Sequence, residues 1–186
     1  MKTLIRMTPL LLLIYLLISC SPKAVPTPAT RTPEPRPSVK IGEITVEEFD
    51  WMGRRFPDLI SYCGFYVYSG KTPGTETVDC EVPYAPRIQM DFGWNAKDQA
   101  TLEANWNAMT WELYIDDTLV DPYQFQGWYD ETKGRGWVID IVNLTPGKHT
   151  IRLLWKSDVP IDDGFDVYPA GTYERIMNIT VQEQYP

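Results

Sequence analysis

The sequence predicts an all-β fold, a single antiparallel β-sandwich that follows an amino-terminal export segment. Three observations support this prediction. Short segments rich in Val, Ile, Thr, Tyr and Trp recur along the chain, several of them alternate apolar with polar residues, and turns containing Pro or Gly separate them. Eight short segments at this spacing are typical of two packed sheets that each bury one face.

Each expected strand is a short run of β-forming residues. We expect strands at residues 64–68, 75–82, 87–92, 101–106, 110–115, 136–142, 149–155 and 173–181. In the seventh run, Ile151, Leu153 and Trp155 occupy alternate positions and can face a core while Arg152 faces water. The sixth and eighth runs repeat this period of two, which marks a half-buried strand.

Helix signals are weaker than strand signals. Within residues 46–62, four apolar residues have roughly helical spacing, but Gly53 and Pro57 interrupt them. This stretch is therefore expected to hold a helix or two short turns. Turn chemistry elsewhere agrees with a β fold, because Pro146 and Gly147 fit a type II turn directly before an expected strand.

The last part of the chain contains a turn-and-strand pattern that is found in known β-sandwich domains. Leu144, Pro146, Gly147, His149 and Ile151 form a Leu-x-Pro-Gly-x-His-x-Ile pattern, and a Pro-Ala-Gly-Thr-Tyr turn precedes the final strand. Together these resemble the last hairpin of immunoglobulin-like or fibronectin-III-like domains. The resemblance implies an immunoglobulin-like β-sandwich and leaves the function open, since such sandwiches host many roles.

The amino terminus has the pattern of a bacterial secretory signal. Lys2 and Arg6 precede an uninterrupted apolar run at residues 10–18. That run is too short to span a membrane as a helix, which needs roughly 20 apolar residues. Residues 1–19 are therefore expected to be a signal peptide.

The end of this run resembles the lipobox of bacterial lipoproteins, with the residues Leu17, Ile18, Ser19 and Cys20. The resemblance implies that the Cys20 thiol receives a diacylglyceryl group and becomes the first mature residue. The partner of this end of the chain is then a membrane, and the location is extracytoplasmic, at the cell surface or in the outer membrane or periplasm. An ordinary signal peptide cut elsewhere and an uncleaved anchor are the alternatives.

Residues 20–40 are expected to form a tether. They include six prolines and no aromatic residue, so they cannot build a packed core. Proline favours an extended, polyproline-like chain. A ligand for a PxxP-binding domain is the alternative, but the position directly after Cys20 favours a stalk. The folded domain is then expected at residues 41–186.

Charge and cysteine content restrict the function further. The chain has a formal charge of −8, and its first forty residues carry six basic and one acidic side chain, so the domain is near −13. Such a domain repels phosphates, and we expect no nucleic-acid partner. With Cys20 assigned to lipid, Cys63 and Cys80 remain as an even pair, which outside the cytoplasm predicts a disulfide rather than two free thiols.

A long connection at residues 121–137 is the candidate binding surface. It is punctuated by glycine and carries aromatic residues beside charged ones, and we expect Tyr123, Trp128, Tyr129 and Trp137 to contact a ligand. Aromatic faces pack on the apolar C–H faces of sugars while polar neighbours hydrogen-bond, so carbohydrate or protein is the expected ligand class. The alternative is that these rings cover one open end of the sandwich.

No catalytic constellation stands out. His149 is the only histidine and lacks a nucleophile motif beside it, so a structural or surface role is expected. The carboxylates of the 158–166 loop do not have the spacing of an EF-hand, and a solvated acidic loop is favoured over a calcium site. We expect no cofactor, no metal and no enzymatic activity. The prediction is a membrane-anchored binding module or, alternatively, a structural subunit of a cell-envelope complex.

Overall fold

The computed structural model describes residues 36–49, 57–64, 70–130 and 134–183. Every described residue lies within the unit Pro35–Pro186. Several predicted features lie outside the described residues. They are the signal peptide, the lipidation site Cys20, the tether up to residue 35 and nearly all of the strand at 64–68. The structure gives no account of those predictions.

The described residues form a β-sandwich of two packed sheets, as predicted. The strands are β1 Ser38–Ile41, β2 Ile44–Glu48, β3 Gly74–Val82, β4 Arg87–Asn95, β5 Met109–Ile115, β6 Thr118–Val120, β7 Trp128–Asp130, β8 Gly134–Val142, β9 Gly147–Ser157, β10 Ile161–Asp162, β11 Val167–Tyr168 and β12 Gly171–Val181. The helices are α1 Leu59–Cys63 and α2 Gln99–Ala108, and a 3₁₀ turn covers Pro122–Gln124.

The first sheet has the order β1-β2-β8-β4, and the short strand β7 also pairs with β8. All of its pairs are antiparallel. Strand β1 begins at Ser38, so the fold starts a few residues before the expected boundary at Ile41. The last residues of the expected tether therefore belong to the sheet.

The second sheet has the order β3-β12-β9-β5-β6. Three of its pairs are antiparallel, β12 with β9, β9 with β5 and β5 with β6, whereas β12 runs parallel to β3. This pair departs from the purely antiparallel sandwich that the sequence predicts. The two strands are not joined by a hairpin, so most of the domain serves as the long connection that parallel pairing requires. A separate two-stranded ribbon joins β10 and β11.

The core lies between the two sheets. On β9, Ile151, Leu153 and Trp155 are buried at alternate positions, as the period of two predicts, whereas β8 is buried on both faces. Residues of both sheets belong to one buried cluster. The ring centroids of Trp94 on β4 and Trp155 on β9 lie 5.1 Å apart across the interface.

Helix α2 corrects one prediction, because the sequence pattern predicts a strand at residues 101–106. The Asp98 side chain accepts a hydrogen bond from the Thr101 amide at 2.9 Å and caps the first turn. Leu102 and Trp106 are four residues apart and both are buried, which places them on one face of a helix. Their spacing therefore fits a helix that closes one edge of the core.

The predicted disulfide between Cys63 and Cys80 is present and joins α1 to β3, with 5.1 Å between the Cα atoms. Helix α1 lies at the end of the 46–62 stretch where a helix or turns are expected, whereas the start of that stretch belongs to β2. Asp58 caps α1 by accepting from the Ile60 amide at 3.1 Å. Among the described residues no helix is long and apolar enough to cross a membrane.

Candidate functional site: a groove between a helix and a sheet edge

One wall of the candidate site is the exposed face of α2. Gln99, Glu103 and Asn107 recur every four residues, so the helix presents them side by side. All three are exposed, while Leu102 and Trp106 on the opposite face are buried. The helix therefore offers an amide, a carboxylate and a second amide in one row, on a base that is fixed by the core.

The opposite wall comes from β7 and β8. Trp128, Tyr129 and Arg135 line a groove of about 590 Å³ together with the row of polar residues on α2. Tyr129 and Arg135 are paired residues of the two strands, which holds their Cα atoms opposite each other. Two aromatic residues, one cation and three polar side chains thus share one open concave surface. This volume falls in the usual range for small-ligand sites, about 300–1,000 Å³.

Hydrogen bonds preorganise the groove. The Glu103 carboxylate accepts from the Gln99 amide at 3.2 Å and from the Tyr129 hydroxyl at 3.3 Å, so it links the two walls. The Arg135 guanidinium lies 4.7 Å from the centroid of the buried Trp106 ring, a cation–π contact that fixes its direction. Donors and acceptors are therefore positioned before any ligand arrives.

Glycines on the sheet create the space that Trp128 occupies. A Cβ atom at Gly134 would lie 2.9 Å from Cη2 of Trp128, so the indole ring rests directly on the strand backbone. The indole N–H donates to Oδ1 of Asp91 on β4 at 3.1 Å. Trp128 therefore reaches from β7 across β8 to β4, and its half-buried ring serves both the sheet and the groove.

Asp91 is in an electrostatically unfavourable environment for a carboxylate. Burial raises the pKa of Asp91, the hydrogen bond from Trp128 offsets part of that increase, and the nearby charge of Asp58 raises the pKa further. The Trp128 indole thus stabilises a carboxylate that water reaches poorly. Loss of this indole would leave Asp91 with a further increase in pKa.

The four residues predicted to bind a ligand do not converge on one surface. Trp128 and Tyr129 line the groove, whereas the Tyr123 hydroxyl accepts from the Trp111 amide at 3.2 Å outside the groove. Trp137 is only 3% exposed and lies in the core, with its ring centroid 5.0 Å from that of Trp106. Its ring has no exposed face to offer a ligand, so the structure removes it from the candidate site. The burial of Trp137 agrees with the alternative prediction, in which the aromatic rings cover one open end of the sandwich.

The sequence prediction misses the three groove residues on α2, and it does not name Gly127 or Arg135 as binding residues. Gln99, Glu103 and Asn107 do not stand out when residues 101–106 are expected to form a strand, where a spacing of four has no meaning. The signal that could have found them is the Asp98 cap followed by Leu102 and Trp106 at helical spacing.

His149 has structural contacts on both ring nitrogens. Nδ1 lies 2.7 Å from Oδ2 of Asp116, and Nε2 lies 2.8 Å from the Thr145 carbonyl oxygen. The other Asp116 oxygen accepts from the Thr150 amide at 2.9 Å. The histidine therefore connects the start of β9 to the turn after β5.

Two carboxylates of the acidic loop at 158–166 accept hydrogen bonds from the loop's own backbone, whereas the Asp166 carboxylate pairs with Lys71. Oδ1 of Asp163 accepts from the Phe165 and Asp166 amides, both at 2.7 Å, and Asp162 accepts from the Gly164 amide at 2.8 Å. Among the described residues no group of three or more His, Cys, Asp or Glu side chains could hold a metal ion. The carboxylates thus shape a tight turn between β10 and β11.

Two solved structures are similar to this chain. No protein-family model and no curated protein matches the chain. Among solved structures, PbICP-C in complex with falcipain-2 is similar, at 18% identity over 61% of this chain and 93% of that chain, with a TM-score of 0.33. EhICP2, a cysteine protease inhibitor from Entamoeba histolytica, is similar at 13% identity over 58% of this chain and 96% of that chain, with a TM-score of 0.29.

Proposed function

We propose that this chain is an extracytoplasmic lipoprotein whose β-sandwich binds carbohydrate, without catalysis, in the groove between α2 and β7–β8. The observation that carries the proposal is the composition of that groove, which places Trp128 and Tyr129 beside amide, carboxylate and guanidinium groups. Sugars present alternating apolar and hydroxyl faces, so they match such a surface better than a purely apolar or purely charged ligand does.

The membrane anchor supports an extracytoplasmic site of action. The lipobox resemblance at Cys20 and the six prolines of residues 20–40 predict a lipid followed by a spacer. The Cys63–Cys80 disulfide fits an oxidising compartment. A binding module held in this way would reach ligands of the envelope or the surroundings, and no nucleic acid is expected there.

The anchor is tested with Cys20→Ser in the cells that produce the protein. We expect the unchanged protein to incorporate a palmitate analogue and to sediment with membranes, and the variant to lose both properties. A Ser19→Ala variant serves as control, because a small residue remains before the cysteine. Equal labelling of the Cys20→Ser variant would show that the lipid is not attached at this residue.

The groove is tested with Tyr129→Ala on a glycan array. Tyr129 is 44% exposed, so its removal should weaken glycan binding at least tenfold while the thermal melt changes little. Tyr62→Ala is the matched control, since Tyr62 is 42% exposed on α1 and does not line the groove. Equal binding of both variants, or no glycan bound by the unchanged protein, would exclude this groove as a sugar site.

Trp128→Ala is a less specific test of the groove than Tyr129→Ala. The ring packs on Gly134 and its N–H donates to Asp91, so the variant should lose stability as well as binding. Trp128→Phe keeps a smaller aromatic face and removes the N–H donor. We expect it to retain more glycan binding than Trp128→Ala, and the reverse order would contradict a stacking role for this ring.

A second candidate function is assembly with a larger envelope protein. The β10–β11 ribbon and its flanking residues expose three apolar side chains, with Val159 at 51%, Phe165 at 74% and Val167 at 57% exposure. The Asp163 carboxylate fixes the turn that carries Phe165. A rigid, protruding aromatic side chain suits an apolar pocket on a protein partner.

Crosslinking and pull-down from native membranes distinguish the two candidates. If the ribbon docks, Phe165→Ser should lose a stoichiometric protein partner that the unchanged chain retains. Leu119→Ser is the control, because Leu119 is also apolar and 55% exposed but belongs to β6. A partner lost equally with both variants, or retained with Phe165→Ser, would exclude the ribbon as the docking surface.

A further inference from the structure

Arg135 on β8 differs from the other arginines of the described strands, because it has no carboxylate partner. Arg87, Arg152 and Arg175 each pair with a glutamate. Arg135 pairs with no carboxylate in the part of the chain that the structure describes, although the domain is strongly acidic. Its guanidinium is therefore available to an anion from outside the chain.

An aromatic ring holds this guanidinium in place. Its central carbon lies over the Trp106 ring, 4.7 Å from the ring centroid, and Trp106 is only 7% exposed. A guanidinium that packs on a ring keeps the N–H groups at its edge free to donate, and two of them match the two oxygens of a carboxylate. The Arg135 side chain is exposed and lines the groove between α2 and β7–β8, so a ligand of the groove can reach these donors.

The opposite wall of the groove supplies an acceptor. Oε1 of Glu103 accepts from both the Gln99 amide and the Tyr129 hydroxyl, which leaves Oε2 to accept from hydroxyl groups of a ligand. A ligand with one carboxylate and several hydroxyl groups would satisfy Arg135 and Glu103 together. A cationic amino sugar would satisfy Glu103 and place a like charge near Arg135.

The charges of the groove limit the ligand to a single carboxylate. Among the described residues that line it, Arg135 is the one cation and Glu103 is the one anion. Screening confines the effect of the other acidic side chains to about 8 Å at physiological salt, so one carboxylate in contact with Arg135 is favourable. Further carboxylates of a polyuronate would find no cation in the groove and would meet an acidic surface.

We propose that the groove is specific for glycans with a single acidic sugar, whose carboxylate accepts two hydrogen bonds from Arg135. This inference rests on the proposed sugar-binding function and adds the class of sugar. The sugar rings contact Trp128 and Tyr129, and their hydroxyl groups donate to Glu103. No covalent step is involved. Arg135 is then the residue that determines specificity.

The test compares disaccharides that differ only at the carboxyl group. Glucuronosyl-galactose and galacturonosyl-rhamnose are each printed as the free acid and as the carboxyl-reduced alcohol, beside neutral glycans and a galacturonate trimer. We expect the unchanged protein to bind at least one acid about tenfold or more tightly than its reduced form, because charge-assisted hydrogen bonds are strong. The trimer should bind more weakly than galacturonosyl-rhamnose, and tighter binding of the trimer would contradict the single carboxylate.

Variants of Arg135 test the residue. Arg135→Gln should lose the preference for the acid, and Arg135→Lys should keep part of it, because an ammonium group keeps the charge without the paired donors. Lys148→Gln is the matched control and should keep the full preference, since it removes an exposed cation of β9 that does not line the groove. Thermal melts check folding, and Arg135→Lys carries the test if Arg135→Gln does not fold.

The outcomes separate this inference from the function on which it rests. Equal binding of each acid and its reduced form by the unchanged protein would overturn the inference, while a loss of that binding in Tyr129→Ala would still support a sugar site. A preference for the acid that persists in Arg135→Gln would place the carboxylate at another cation and would also overturn the inference. Binding of no glycan at all would reject both.

Discussion

Arg87 lies at the start of β4, and replacing it with methionine should strongly lower the free energy of unfolding of the domain. The Asp140 side chain is 0% exposed, and its Oδ2 lies 2.7 Å from Nη1 of Arg87. Nη2 of the same guanidinium lies 3.0 Å from the Glu47 carboxylate. One cation therefore joins three neighbouring strands, β2, β8 and β4.

The magnitude follows from the burial of Asp140. Removing one partner of a buried ion pair costs about 3–5 kcal/mol, because the remaining carboxylate stays desolvated. For a domain of roughly 150 residues, each kcal/mol lowers Tm by about 2–4 °C, so Arg87→Met should lower it by about 6–20 °C. Glu47 is 35% exposed, and Glu47→Gln should cost only about 0–1 kcal/mol.

Urea unfolding followed by tryptophan fluorescence measures both variants. The double variant Arg87→Met with Asp140→Leu replaces the pair by apolar side chains and should recover most of the lost stability. Equal effects of Arg87→Met and Glu47→Gln would refute the reasoning. A double variant no more stable than Arg87→Met would show that the loss comes from packing around Arg87 and not from the charge of Asp140.

Further predictions address other parts of the domain. Gly136→Ala should lower Tm by several degrees, because the new Cβ would lie 2.7 Å from Gly93 Cα, and calorimetry with the solvent-exposed change Thr180→Ala as control would measure it. Hydrogen bonds from Thr75 and Arg152 lower the pKa of Glu174. The ionised Glu174 therefore stabilises the folded domain above roughly pH 4.3, and this contribution is lost as the pH falls through the lowered pKa. Glu174→Gln should therefore flatten the acid side of the stability profile, and an unchanged profile would contradict this. Reducing the disulfide should lower the free energy of unfolding by about 3 kcal/mol, and no shift of the urea midpoint with reductant would argue against this contribution.

The strands that the sequence predicts well are those with one buried face. Ile151, Leu153 and Trp155 alternate because β9 packs on the opposite sheet, and that pattern is visible in the sequence alone. The parallel pairing of β3 with β12 is not predictable in this way, because alternation identifies the inner face of a strand and says nothing about its neighbour. The strand expected at residues 101–106 is wrong because Thr and Trp favour strands in general, whereas the spacing of Leu102 and Trp106 decides the structure here.

The candidate site is predictable in part. Trp128 and Tyr129 stand out in the sequence because they lie in a glycine-punctuated connection, and both line the groove. Trp137 also follows that connection, but it alternates with Ile139 and Ile141, a pattern that already indicates a core position. The wall formed by α2 depends on how a helix docks against the sheets, and this contact between distant segments has no local signature.

The position of β1 has a mechanical consequence. Ser38 pairs with Glu47, and Ile41 pairs with Ile44 next to the tight turn, so the chain enters and leaves this hairpin at the same end. A force on the amino terminus would break the Ser38–Glu47 pair first and then the remaining pairs of the hairpin one after another. Strand β12 is held by eleven pairs on one side and nine on the other, and it would open later than β1. If the chain is tethered through Cys20, its edge strand would thus open and lengthen the tether by a few residues before the core opened.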